Sequence, residues 1–154
     1  MTDEEYMNMA LELAESAAAI GEVPVGAVIV HENQVIARQF NRRECNQNPL
    51  AHAELLAIEE ASQKLGRWRL QGCTLYVTLE PCIMCAGAII NARVDKVVFG
   101  AKDPKGGAVN SLYQLLSDPR LNHRPVVVQG VYEETCSHLL SSFFSSLRQQ
   151  KKES

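Results

Sequence analysis

His52, Cys82 and Cys85 are residue types that bind zinc, and their pattern, a histidine followed thirty residues later by C-x-x-C, offers three ligands. A structural zinc site closes with four. Three leave room for a water, whose pKa zinc lowers towards about 7, so that hydroxide exists at neutral pH. Glu54, two residues beyond the histidine, is the carboxylate placed to take that water's proton. The implied chemistry is hydrolytic. Two other readings stay open. His31, His123, His138 or a spare cysteine could complete a structural site, and C-x-x-C could be a redox pair.

The spacing makes a demand on the fold. Cys82 and Cys85 are three apart, so on a helix both sulfurs face the same way. Pro81 suits the first helical turn, which sets Cys82 at a helix N-terminus, where the helix dipole favours thiolate. Residues two apart on a helix diverge. His52 and Glu54 therefore reach one ion only from a first turn met end-on, and Pro49 just upstream fits a helix start there. Two helix N-termini must converge on one point.

The rest of the chain supplies those helices. Thr2 to Glu5 form a capping box, and Tyr6, Met9, Ala10, Leu13, Ala14 and Ala17 recur at helical spacing until Gly21. V-P-V-G-A-V-I-V (residues 23–30) predicts a strand. Its Pro24 and Gly26 suggest an edge, a bulge, or backbone brought close to a ligand. A turn at Glu32-Asn33 leads into a second strand over 35–40, and a loop over 41–49 follows. Further on come a helix over 51–65 closed by Gly66, a strand over 74–78, a helix over 82–91 and a strand over 96–100. A Gly-rich loop (101–110), a short helix over 112–116, a turn at Asp118-Pro119, a strand over 125–129 and a helix over 133–149 complete the chain. Strand, helix and strand within about thirty residues predict a right-handed parallel unit. The expected fold class is α/β: a three-layer αβα sandwich with a mixed five-stranded sheet and helices on both faces, one domain spanning residues 1–154.

Composition excludes several classes. An apolar fraction of 46% in 154 residues belongs to a folded chain, and no run approaches the roughly 20 apolar residues of a membrane span. The acidic start (Asp3, Glu4, Glu5) is unlike a secretory signal, which makes a cytoplasmic protein the expectation. Five cysteines, an odd count, argue against a disulfide framework, and no role is assigned to Cys45, Cys73 or Cys136. A net charge of −3 speaks against coating nucleic acid by charge alone. Basic residues nevertheless gather from Arg42 and Arg43 onwards and close the chain at Arg148, Lys151 and Lys152; they read as a local basic surface or as scattered solvated charges.

H-A-E followed by P-C-x-x-C resembles the zinc-dependent cytidine and nucleobase deaminases. The wider strings V-P-V-G-A-V, F-N-R, T-L-E-P-C-I-M-C-A-G-A-I, F-G-A-K-D-P-K-G-G-A and N-H-R, with F-F and the basic tail, are similar to the tRNA adenosine deaminases nearly from end to end. The resemblance implies a homodimeric hydrolase with one zinc per subunit that edits wobble adenosine to inosine in tRNA. It places zinc on His52, Cys82 and Cys85, the proton shuttle on Glu54, and Asn41 against the flipped base. Asp103 falls on the sugar–phosphate backbone, Lys105 and Arg148 on phosphates, and Phe143 against the RNA loop. Their alternatives are ordinary: turn residues for Asn41 and Asp103, a solvated charge for Lys105, core for Phe143. Two rival functions remain, a deaminase of a free base or nucleotide (guanine or deoxycytidylate) and a zinc-stabilised RNA-binding module without catalysis.

Overall fold

A computed structural model describes residues 1–153. Thr2 caps the first helix, α1 (Asp3–Ala19), by accepting from the Glu5 N–H at 3.2 Å. Five strands follow in chain order: β1 (Gly26–His31), β2 (Gln34–Phe40), β3 (Cys73–Leu79), β4 (Lys96–Ala101) and β5 (Val126–Gln129). They form one sheet ordered β2-β1-β3-β4-β5. β1 pairs antiparallel with β2 and β3, while β3, β4 and β5 run parallel, so the sheet is mixed as the patterning predicts.

Alternation along the strands sends side chains to two cores. Ala27, Ile29, Leu75, Val77, Val97 and Phe99 meet α2 (Ala53–Leu65) and α3 (Ile83–Ala92) through Ala53, Ala57, Ala61, Ala86 and Ile89. Val28, Val30, Tyr76 and Val98 turn the other way, onto Tyr6, Met7 and Ala10 of α1. The last helix, α4 (Glu133–Glu153), joins that second face, where Cys136 is buried with Leu11 of α1 and Ala101 of β4. Helices cover both faces, completing the αβα sandwich. Met7 is buried against the sheet and Leu11 against α4, while Met9 and Leu13 are only partly covered.

Three sequence expectations change. Gly26 lies on an interior strand and its close neighbour is a helix: a Cβ there would strike the Ala10 carbonyl of α1 and come within 2.8 Å of the Ala14 nitrogen. Its lack of a side chain lets sheet and helix pack closely. The irregularity in β1 falls later, between Ile29 and Val30. The expected helix over 112–116 shrinks to one 3-10 turn at Leu115–Ser117, because the Leu112 and Tyr113 N–H groups turn to the Gly107 carbonyl and the Leu115 N–H to the Ala108 carbonyl, not to partners four residues back. Among the described residues no helix is long and apolar enough to cross a membrane.

Candidate active site

α2 and α3 begin side by side, and their first residues carry the chemistry. His52 is the N-cap of α2 and Cys82 the N-cap of α3, both in extended backbone conformation, and neither side chain makes the usual capping hydrogen bond. The side chains are thus free to turn towards each other. α2 starts two residues later and α3 one residue later than the sequence pattern predicts, and Pro81 stands just outside α3. The cap that His52 leaves open on α2 is filled from another segment: Asn41 Oδ1 accepts from the Ala53 N–H at 2.8 Å. Helix entry and Asn41 are locked together.

The His52 Nδ1 atom lies 3.7 Å from the Cys82 sulfur and 3.6 Å from the Cys85 sulfur. A tetrahedral ion about 2.0–2.1 Å from nitrogen and about 2.3 Å from sulfur separates the two by about 3.6 Å. The donor set therefore fits zinc in kind and spacing. Among the described residues this trio is the one histidine–cysteine–carboxylate grouping able to hold a metal. The candidate fourth ligands are elsewhere: His31 lies against Gly72, His123 contacts the Val94 carbonyl at 2.7 Å, and His138 pairs with Ser142.

Of the trio, only Cys82 is tuned towards the deprotonated form a metal needs; Cys85 and His52 are shifted the other way and must give up protons for an ion to bind. The Cys85 thiol donates to the Cys82 sulfur and, with the His52 imidazole, holds the Cys82 thiol down to about 3 against the opposing effect of burial. That same hydrogen bond, then burial, push Cys85 far up, so the two sulfurs share one proton. His52 is raised, first by its bond to Cys82. Glu54, in the first turn of α2, is 4% exposed; burial lifts its carboxyl to about 7, and it hydrogen-bonds the Cys85 thiol. A carboxyl poised near neutrality can both take and return a proton.

These groups sit in a cleft of about 680 Å³. Asn41, His52, Glu54 and Cys82 line it, together with Asp103 and Lys105 of the Gly-rich loop and Arg148 of α4. The cleft thus gathers seven residues expected from sequence, two of them metal ligands, with Cys85 buried behind. Asp103 also closes its own turn, accepting from the Lys105 and Gly106 N–H groups at 3.1 and 3.2 Å. Phe143 is partly buried and packs edge-on against Phe144, with ring centroids 5.5 Å apart; the ring lining the cleft is Phe144.

Arg43 and Lys102 line the cleft as well, and sequence reading had singled out neither from the other charges. Glu80 was also passed over. Its buried carboxylate accepts from the N–H groups of Asp103, Val109, Asn110 and Ser111 at 2.8–3.1 Å and from the Ser111 hydroxyl at 2.5 Å. Burial would raise its pKa, but these donors outweigh that and hold it below 4.5. Glu80 thereby ties the Gly-rich loop to the P-C-x-x-C string. The signal was an acid two residues before a ligand, inside an otherwise apolar run.

The chain matches the model of the MafB19-like deaminase family over residues 1–148. It is 56% identical over 150 residues to a tRNA-specific adenosine deaminase of Bacillus subtilis, covering 97% of this chain and 93% of that one. The chain belongs to the tRNA-specific adenosine deaminase family. A second such deaminase, from Haemophilus influenzae, is 46% identical over 151 residues, 97% of this chain and 87% of its own. Among solved structures, one from a study of A-to-I editing by tRNA:A34 deaminases at the wobble position superposes with a TM-score of 0.85 at 46% identity, covering 88% of this deaminase and 99% of that chain. The guanine deaminase of Nitrosomonas europaea shares the fold at a TM-score of 0.73 but only 27% identity, over 91% of this chain and 83% of that one.

Proposed function

We propose that this protein deaminates adenosine to inosine at the wobble position of a tRNA anticodon, acting as a single cytoplasmic domain with one zinc ion on His52, Cys82 and Cys85. One observation carries the reading: a three-ligand metal set and a buried carboxyl meet in an open cleft with cations on its lining. Identity of 56% to a tRNA deaminase against 27% to a guanine deaminase supports the choice of substrate.

Zinc, when bound, supplies the Lewis acidity that makes water nucleophilic near pH 7. Glu54 accepts the proton of the attacking water, delivers it to the purine ring nitrogen, and passes the second proton to the departing amine. Oxygen replaces nitrogen at the reacting carbon and ammonia leaves. Burial of Glu54 suits both roles, since a carboxyl near 7 loses and regains a proton at little cost. Asn41 gives its oxygen to α2, which leaves its NH2 group to donate to the edge of an extruded base. Lys105 and Arg148 meet phosphates, Asp103 accepts from a ribose hydroxyl, and Phe143 with Phe144 forms an aromatic wall. An unstacked anticodon loop makes extrusion of the base inexpensive.

We further propose a homodimer. Leu50 and Ile83, within two residues of the ligands His52 and Cys82 in sequence, are more than half exposed, and Leu112 and Tyr113 are about half exposed. A second copy covering them would stand beside the cleft.

The deciding experiment offers the purified protein a wobble-adenosine stem-loop, free guanine and deoxycytidylate, with zinc counted per chain and mass measured by light scattering. Inosine in the stem-loop, one zinc per chain and a dimer mass are expected. Turnover of guanine without inosine in RNA would overturn the substrate assignment, and a monomer mass at micromolar protein would overturn the dimer.

A further inference from the structure

Glu22 is a buried charge that the mechanism leaves unused. It is 1% exposed, follows α1, and forms no ion pair with any described residue. A buried carboxylate persists only when hydrogen bonds replace its water. Here the replacement is chiefly backbone, with the Cys45 thiol as a lesser donor. One oxygen accepts from the Glu44 N–H at 3.2 Å and the other from the Cys45 N–H at 2.7 Å. Both donors stand at the start of a compact turn, closed by Asn46 N–H to Arg42 carbonyl at 2.9 Å and Asn48 N–H to Arg43 carbonyl at 3.0 Å. Its near end is tied down too, by Arg42 N–H to the Ala51 carbonyl at 3.0 Å and by Asn41 on α2.

Arg43 is therefore an exposed residue on pinned backbone, bracketed by the Asn41 lock and the Glu22 clamp. Its side chain lines the cleft that holds His52 and Glu54, and its guanidinium makes no hydrogen bond or ion pair with a described residue. An unpaired guanidinium held rigidly at the mouth of a nucleic-acid cleft is prepared for a phosphate: little order remains to be imposed when the ligand arrives.

We propose that Glu22 is a positioning residue for RNA: by clamping the turn after Asn41 it sets Arg43 on the cleft rim, where the guanidinium takes a backbone phosphate beside the reacting nucleotide. The inference rests on reading the protein as an RNA deaminase.

The test follows kcat and KM on an anticodon stem-loop between 50 and 200 mM KCl, using zinc-loaded enzyme and the variants R43A, R43K, E22Q and the double R43A/E22Q. Losing one phosphate contact flattens the slope of log KM against log salt by about 0.7–0.9 and raises KM roughly five- to eightfold at 0.1 M salt. R43A should show both with kcat within about twofold of wild type; R43K should keep the slope. E22Q should reproduce R43A, and the double variant should be no worse than R43A alone. A wild-type KM and slope in R43A overturn the inference. So does an E22Q that melts earlier yet keeps the wild-type slope, for that is a purely structural role. If E22Q does not fold, E22D, one methylene shorter, takes its place under the same criteria. Absence of inosine with the wild-type enzyme would instead defeat the RNA reading itself, which separates the two failures.

Discussion

Gly107→Ala should loosen the active site without touching a ligand. A Cβ at residue 107 would fall 2.5 Å from Glu80 Oε1 and closer still to the rest of the carboxyl, where ordinary contact begins at 3.4 Å. The carboxylate must retreat by at least about 0.9 Å, the difference between those two distances, and by more at its closer atoms. Its bonds to the Asp103, Val109, Asn110 and Ser111 N–H groups measure 2.8–3.1 Å, and such a shift carries them beyond the effective range of about 2.7–3.2 Å. Overpacking costs about 1–3 kcal/mol, and one lost hydrogen bond to a charged acceptor about 1.5–3 kcal/mol. A total of about 2.5–6 kcal/mol is expected, equivalent to a Tm lowered by about 5–24 °C in a chain of this length. Calorimetry on the zinc-loaded protein reads that change, and steady-state kinetics on the stem-loop should show KM rising as the segment bearing Asp103 and Lys105 shifts. Gly87→Ala is the control: it meets nothing within 4 Å and removes a helix-interior glycine, so α3 should gain up to about 1 kcal/mol. A Gly107→Ala protein melting within about 2 °C of wild type with an unchanged KM would refute the clamp.

Three other outcomes are expected. Glu54→Gln should cut kcat by two to four orders of magnitude while metal analysis still finds one zinc per chain; appreciable turnover would return the protein to the class of binding modules. Glu22 is held below 4.5 because the Cys45 and Glu44 N–H groups outweigh the burial that would raise it, so its stabilisation is complete above 4.5 and fades as pH falls through the lower folded value. Urea unfolding of wild type and Glu22→Gln should therefore converge as pH drops from 7 to 3, and a pH-independent gap would disprove the linkage. Duplex RNA carrying the same adenosine should react far more slowly than the loop, since unpairing adds to the barrier; equal rates would show that the base is not extruded.

Legibility varied with the locality of the cause. The ligands could be read because residue type and a three-residue spacing fix both chemistry and geometry, and the end-on demand on His52 and Glu54 follows from helical periodicity alone. The αβα order was legible from alternating strand and helix patterns. Glu80 and Glu22 were not, because their partners are backbone N–H groups on segments more than twenty residues away, and a backbone donor leaves no mark in the residue string. The lost helix at 112–116 has a similar origin: the propensity was there, but the Leu112 and Leu115 N–H groups bond the Gly107 and Ala108 carbonyls of the loop that Glu80 holds. Choosing between Phe143 and Phe144 needed the rotation of α4 about its own axis, which two adjacent aromatics do not specify.

Gly26 carries a lesson for anyone screening variants of this chain. Its bare backbone nests against α1, and its N–H donates to the Thr78 hydroxyl at 3.2 Å, on the strand that runs directly into the sulfur ligands. A bulkier residue would pry the mortar joint between helix and sheet, and the tremor would pass along β3 to the metal-binding corner. Colonies scored by editing alone would rank such a variant beside those missing a true reactive group, although what broke was masonry.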